Sequence, residues 1–460
     1  MAAAEDSDDR PPPLESSPGD DSCEAGDTSA TCRQVDAVSP RRQIHSQATG
    51  DAVLIHDLPE VFHVGYDAAS FTAQRFTCLK DIPAGPHFLW VAHPSGVAAR
   101  AGVWLLADGT RPPRTHVLTW DQDHELLRGG ASRPGSLDDG REISVDISGR
   151  PAPHSQLSDA SKARDRLSAS EFQANLDTWR QLTSHVTRSV LDRVAGAQEG
   201  DGWFVHTLDR AEGASQSRTQ SQLERTILID KTSQHELKFT ISRSTRLFRL
   251  EPIGPERTSE ALDPTTYLLS YVQSAPSSFT DQDLVGELQF SFVVGLLLGN
   301  DDCLDQWWFM VLKLVAKSYL LVQKQPLLSA ALWRAVTAQI EFGMKWTDST
   351  MFDRTEHNCR ELRISLIVYK RRVEEFLHAD EGLVHADHLA VSATFSRLES
   401  TLAELGWDLS GDYLRKGKVT LEDGEEVELE LSELEAEDER GEWAPAIVEL
   451  NEREQQLLVG

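Results

Sequence analysis

Cysteine is scarce in this chain: five in 460 residues, at Cys23, Cys32, Cys78, Cys303 and Cys359. So few and so scattered, they argue against a disulfide framework and for a reducing compartment, cytosol or nucleus. Positive charge is short as well. Lys and Arg number 45 against 74 Asp and Glu, a formal net charge of −29. That argues against a general polyphosphate binder, and direct RNA binding is not expected, because nucleic-acid affinity is mostly Lys/Arg neutralising phosphate. It fits solubility and basic protein partners. Long apolar runs are missing too. The most apolar stretch is FSFVVGLLLG, Phe290 to Gly299, too short to span a bilayer. The front, MAAAEDSDDR, is acidic where a secretory signal would be basic. The chain has no G-x-S-x-G, no H-E-x-x-H and no C-x-x-C, so the common hydrolase, zincin and redox signatures give no catalytic residue, and no enzyme and no cofactor is expected.

What is present falls into four segments. Residues 1–48 are rich in Asp, Ser, Pro and Gly and poor in large apolar groups, a composition that predicts a disordered N-terminal extension. Residues 49–255 are predicted β-rich. AVLIHDLP, VFHVGYD, RFTCLKDIPAGPHFLWVAH, AGVWLLADG, THVLTWD and REISVDI are short, β-branched or aromatic, and punctuated by Gly, Pro and Asp, as in a sandwich or rolled sheet. Within this part SEFQANLDTWRQLTSHVTRSVLDRVAG changes period. Phe172, Leu176, Trp179, Leu182, Val186, Val190 and Val194 recur every three or four residues, predicting one helix capped by Ser170 and ended at Gly196. A polar loop follows at 211–222, then two more expected strands, ERTILID and HELKFTI.

The prolines of RLEPIGPERTSEALDP mark the boundary to residues 256–417, predicted helical. Thr280 and Asp283 form a capping box opening DLVGELQFSFVVGLLLGN, which is apolar nearly all round and therefore predicts a buried central helix. Further helices are expected at about 303–323, 327–345, 355–378 and 386–405, with Pro326 in a first turn. Short connections suggest an antiparallel stack. Residues 418–460 are an acidic tail, EDGEEVELELSELEAEDER and onward, carrying one short strand-forming run, AIVEL.

Several features invite chemistry. GDYLRKGKV resembles a phosphate loop only loosely: five residues, not four, separate Gly411 from Gly417, and Val419 stands where a magnesium-binding Ser or Thr belongs. HADEGLVHADH offers His378, Asp380, His385, Asp387 and His388. These could ligate zinc or iron, but helix-end capping is the stronger reading, since no second pair closes the site; a metal-dependent hydrolase on His378, His385 and His388 is the weaker alternative. KRR at 370–372 and SPRR at 39–42 read first as solvated faces, and Trp307-Trp308 as core packing.

Several segments, in order, resemble the Aar-two splicing factor family, assembly factors of the U5 small nuclear ribonucleoprotein. KDIPAGPHFLWVA is similar to its IPPG-I-HF-L pattern, GVWLLADG to the G-x-x-L strand behind it, and LDTWRQLTSHV to its L-x-x-W-x-x-LT helix. DLVGELQFSFVVGLLLGN is close to the LGELQFAFV…LLGN signature, LGWDL (Leu405 to Leu409) to a late WDF, and APAIVEL to APVVVEL. The resemblance implies an α+β multidomain chain, with a β-sandwich-like N-terminal domain and an all-α, horseshoe-like C-terminal domain. It also implies a non-enzymatic protein, cytoplasmic and nuclear, that binds the RNase H-like and MPN-type domains of pre-mRNA-processing factor eight in a U5 precursor and delays helicase docking. The alternative is a general helical scaffold or chaperone adaptor unrelated to splicing.

Within that frame Pro445, Ala446, Ile447, Val448, Glu449 and Leu450 are the expected partner-binding residues. Proline lacks an N–H and suits the first residue of a strand. A lone five-residue strand is unstable, but added to another sheet's edge it gains main-chain hydrogen bonds and side-chain pockets. The acidic run before it is expected to be a flexible tether, extended by self-repulsion.

Overall fold

Alternating apolar residues and tight turns build the front half into two five-stranded sheets. The computed structural model describes residues 50–93, 99–109, 113–130, 133–134, 169–196, 202–212, 235–249, 251–274, 279–346, 356–379, 386–409, 414–420 and 426–432. The strands are β1 (Asp51–His56), β2 (Val61–Tyr66), β3 (Ala69–Gln74), β4 (Cys78–Ile82), β5 (Gly85–Ala92), β6 (Arg100–Ala107), β7 (Arg114–Asp121), β8 (Leu126–Gly129), β9 (Arg133–Pro134) and β10 (Gly202–His206). The outer sheet has the order β4-β1-β7-β8, with β9 also on β7; the inner sheet has the order β10-β6-β5-β2-β3. Their pairings are antiparallel except β1 with β7, parallel from Ala52↔Thr115 to His56↔Thr119.

Val64, Leu89, Val91 and Val103 of the inner sheet meet Val53, Ile55, Leu79 and Leu118 of the outer one in a common core. The opposite face of the inner sheet is buried as well. Phe88, Trp90, Trp104 and Trp203 point into the core that contains the helices. A strand covered on both sides loses the polar half of its alternation, which is why β5 reads as the near-continuous run GPHFLWVA.

The helices are α1 (Ala169–Thr183), α2 (Arg188–Leu191) with a π-helical turn Asp192–Gly196, α3 (Pro255–Leu262), α4 (Thr265–Ser274), α5 (Asp281–Leu298), α6 (Asp301–Phe309) with a π-helical turn Met310–Val315, α7 (Leu321–Lys324), α8 (Pro326–Trp346), α9 (Glu356–Ala379) and α10 (Ala386–Ala403). The architecture is thus β-rich in front and helical behind. α5 is the predicted central helix. Its Thr280–Asp283 capping box is formed, and Gly299 ends it at φ 67°, a left-handed position that glycine adopts without strain. α8, α9 and α10 pack together through Trp333, Tyr369 and Phe395, with ring centroids 4.8 to 5.3 Å apart.

Four expectations need correction. The single helix over 170–196 is broken: Ser184–Thr187 leave the helix, and α2 restarts with Thr187 as its cap. Ser170 is not the cap of α1, because the helix is already under way at Ala169. HELKFTI is a strand only at β12 (Glu236–Leu237), which pairs in parallel with β11 (Arg210–Ala211). Beyond it the backbone bonds to helical neighbours: Lys238 N–H donates to the Val194 carbonyl, and the Ile241 carbonyl accepts from Gln306. The helix expected over 303–323 ends in a π turn, and the Leu320 N–H turns instead to the Asp263 carboxylate at 2.9 Å. RLEPIGPERTSEALDP carries helix α3, with Pro255 in its first turn. REISVDI and ERTILID lie outside the described residues.

Candidate functional site

The signature segment explains itself residue by residue once its neighbours are known. In a helix buried on all sides, polar residues must find partners. Glu287, fully buried, accepts from Arg193 Nε at 2.8 Å, from Thr240 N–H at 2.9 Å and from Thr240 Oγ1 at 2.5 Å. It thereby ties α5 to the π turn behind α2 and to the segment after β12. Burial pushes its carboxyl pKa up, against the opposing pull of Thr240 and Arg193. Gln289 accepts from His185 N–H at 2.8 Å and donates to the Gln181 carbonyl and Ser184 Oγ, each at 3.0 Å. Those bonds satisfy the backbone where α1 breaks. Two glycines allow close approach: a Cβ on Gly286 would sit 2.2 Å from the His185 carbonyl oxygen, and one on Gly295 2.8 Å from Leu304 N.

The end of α5 is fastened to the inner sheet. Asn300 caps α6 through Cys303 N–H at 2.8 Å, while its amide nitrogen lies 2.8 to 3.2 Å from the carbonyls of His206, Thr207 and Asp209. Arg100, stacked over Trp90 at 4.9 Å, donates to the Leu297 carbonyl at 2.6 Å, and Thr207 Oγ1 donates to the Leu298 carbonyl. A cation at a helix C-terminus also matches the helix dipole. Beside this joint, burial pushes the Asp209 carboxyl up to about 6 and the His206 imidazole down to about 4. The ELQF and LGN elements are thus structural fasteners rather than an exposed contact patch. Glu287, Gln289 and Asn300 could have been singled out from sequence, since each is polar within or beside an otherwise apolar helix.

The expected partner-binding residues, Pro445 to Leu450, lie outside the described residues. Before them stands something the sequence reading missed. Leu414–Thr420 (β13) and Glu426–Ser432 (β14) form an antiparallel hairpin. The acidic run is therefore not a tether over 426–432. Lys416 stands opposite Glu430 and Lys418 opposite Glu428, and opposite charges across strands favour pairing over self-repulsion. The Asp423-Gly424 dipeptide between the strands was the available signal. The same strand disposes of GDYLRKGKV as a phosphate loop, which requires a loop opening a helix.

Among the described residues no group of three or more His, Cys, Asp or Glu is placed to hold a metal ion. Asp380 and His385 lie outside those residues; His388 meets the Phe376 ring edge-on at 5.4 Å. KRR lies on α9, where Lys370 bonds Glu399 at 2.5 Å and Arg372 pairs with Glu375 at 3.5 Å. SPRR is outside the described residues. Trp307 and Trp308 are core, as expected, and Trp307 Nε1 donates to Gln339 Oε1 at 2.7 Å. A buried Tyr66–His87–Asp67 cluster is closed on itself: His87 Nδ1 lies 2.7 Å from Asp67 and 2.9 Å from Tyr66, and its Nε2 lies 2.8 Å from the Pro83 carbonyl.

Comparison with known families resolves what the fasteners belong to. Residues 49–196 match the AAR2 N-terminal domain and residues 239–410 the AAR2 C-terminal repeat region. The chain belongs to the AAR2 family. Relatives named Protein AAR2 homolog, from Macaca fascicularis, Mus musculus and Homo sapiens, are each 26% identical over 294 residues, covering 58% of this chain and 70% of the relative. The C-terminal AAR2 match stops at 410, just before the hairpin, so β13 and β14 lie beyond it.

Proposed function

We propose that this AAR2-family protein is a non-enzymatic assembly factor of the U5 small nuclear ribonucleoprotein. It binds the RNase H-like and MPN-type domains of pre-mRNA-processing factor eight in a precursor particle, in cytoplasm and nucleus, and holds off the helicase until it leaves. The observation that carries this reading is the match of both AAR2 segments, in order, across 49–196 and 239–410. Contact is made by Pro445 to Leu450 adding a strand to the partner's sheet edge, where main-chain bonds give affinity and alternate side chains give selectivity. The chain's net charge of −29 makes the contact salt-sensitive and reversible.

Affinity purification of the full chain from nuclear and cytoplasmic extracts tests the reading. Enrichment of U5 precursors lacking the helicase is expected. Equal recovery of mature, helicase-bearing particles overturns the placeholder role, and a broad set of unrelated clients favours a general scaffold. Binding isotherms of the full chain and of a 441–460 deletion with the isolated partner domains test the tail: weaker binding by the deletion is expected, and equal affinities exclude strand addition.

A further inference from the structure

Among the described residues β13 and β14 pair only with each other. A two-stranded hairpin is marginal in water, and a third strand or a covering element is what gives such a ribbon independent stability. The register defines what a third strand must look like. Residues directly opposite share a face and alternate residues change face. Lys416 and Lys418 therefore share one face with Glu428 and Glu430, while Val419, Val427, Leu429 and Leu431 share the other. Arg415 and Gly417 complete the second face and Leu414 and Thr420 the first, so one face is mainly charged and the other mainly apolar, and among the described residues neither outer edge is paired.

We propose that residues 445–450 of this same chain lie along the open edge of β13 as a third strand in the free protein, so that the hairpin holds the tail until the partner takes it. This rests on the reading above that the same six residues join the partner's sheet. Three observations choose this occupant and this edge. First, the alternation suits this edge: Ala446, Val448 and Leu450 form one set, and Ile447 and Glu449 the other. With the first set continuing the apolar face, Glu449 falls on the face of Lys416 and Lys418. On the β14 edge the same placement sets Glu449 beside Glu426, Glu428 and Glu430, and like charges on neighbouring strands repel.

Second, the connection is long enough. A strand antiparallel to β13 runs parallel to β14, and such a crossover needs about a dozen residues or more. Residues 433–444 supply that length. Extended at roughly 3.3 Å per residue, they reach about 40 Å, enough to run back the roughly 23 Å of a seven-residue strand and cross the roughly 10 Å between strands two places apart in a sheet. Third, Pro445 stands at the start, where a missing N–H is tolerated. A tether this short also holds the tail near the hairpin at an effective concentration of order millimolar, ahead of any free partner at cellular levels. Partner binding is then an exchange of one sheet edge for another.

Amide hydrogen exchange of the full chain, alone in solution, tests the proposal. Residues 446–450 are expected to exchange at least about tenfold more slowly than the same sequence as a free peptide. Amides of 415–419 are expected to lose protection when the chain is truncated after Ser432. Glu449→Lys and Val448→Pro, which alter no residue of the hairpin, should each return 446–450 to the free-peptide rate. Free-peptide exchange in the unmodified chain overturns the proposal. Protection that survives both substitutions places the tail elsewhere on the molecule and overturns it too, and protection that grows with protein concentration assigns the tail to a second copy's hairpin. No partner is present in these samples, so the outcome is independent of whether the partner assignment holds.

Discussion

The two faces of the inner sheet are built from different materials. The face toward the outer sheet is mostly aliphatic, with Leu89, Val91, Val103 and Leu105. The face toward the helices carries Phe88, Trp90, Trp104 and Trp203. Ring packing continues into the helices, with Trp104 6.1 Å from Trp179 and 5.8 Å from Phe290. Only the helix side is also pinned by Arg100, Thr207 and Asn300 to the end of α5. Aliphatic contact is tolerant of exact placement, whereas buried polar groups accept few geometries. The sandwich side therefore supplies burial, and the helix side fixes how sheet and helices sit together.

Neighbouring residues on β6 test that contrast directly. Trp104→Ala should cost about 3–5 kcal/mol and Val103→Ala about 1.5–3 kcal/mol, read by denaturant unfolding; equal losses would erase the distinction between faces. Glu287→Ala should fall in the same upper range, about 3–5 kcal/mol, because it removes the 2.8 Å carboxylate partner of Arg193 and the acceptor of both Thr240 donors. Glu287→Gln should recover part of that loss. Asn300→Ala removes a helix cap and leaves carbonyls of His206, Thr207 and Asp209 short of a donor, about 2–4 kcal/mol together. The smallest effect is a pH dependence at the same joint. Asp209, raised to about 6, takes up a proton on folding, so its contribution improves as pH falls from about 6 toward 4. His206, lowered to about 4, favours folding above about 6.5 and loses that contribution over the same descent. Relative to the unmodified protein, Asp209→Asn should lose thermal stability between pH 7 and 4.5, and His206→Gln should gain it.

Much of the architecture was legible because local pattern and burial agree there. Helix α5 announced itself by apolar residues on every side, and strands β5 and β6 by β-branched and aromatic runs between turns. Reading failed where a distant side chain decides the backbone. The break at Ser184–Thr187 depends on Gln289, and the short β12 on Glu287 and Gln306; no window of adjacent residues contains both partners. The hairpin was overlooked for a different reason: its strands were judged by net charge instead of by which residue stands opposite which. Of the candidate site, the approach is described at 414–420 and 426–432, while Pro445 to Leu450 lie outside the described residues.

The pairing order has a consequence during synthesis. The Trp104 face of the inner sheet is covered by α5, encoded almost two hundred residues later, and β10 also reaches its place beside β6 only after α1 and α2 have been made. At about 5–20 residues per second, the interval between Trp104 and the end of α5 is on the order of ten to forty seconds. Until α1 is made the nascent chain presents Phe88, Trp90 and Trp104 uncovered, and until α5 is made it presents them and Trp203 only partly covered, a sticky surface in a crowded cell. A ribosome stalled before α5 has left the exit tunnel would therefore display a chain prone to capture by chaperones, whereas one stalled after Asn300 has emerged would display a sheet already closed by its helix.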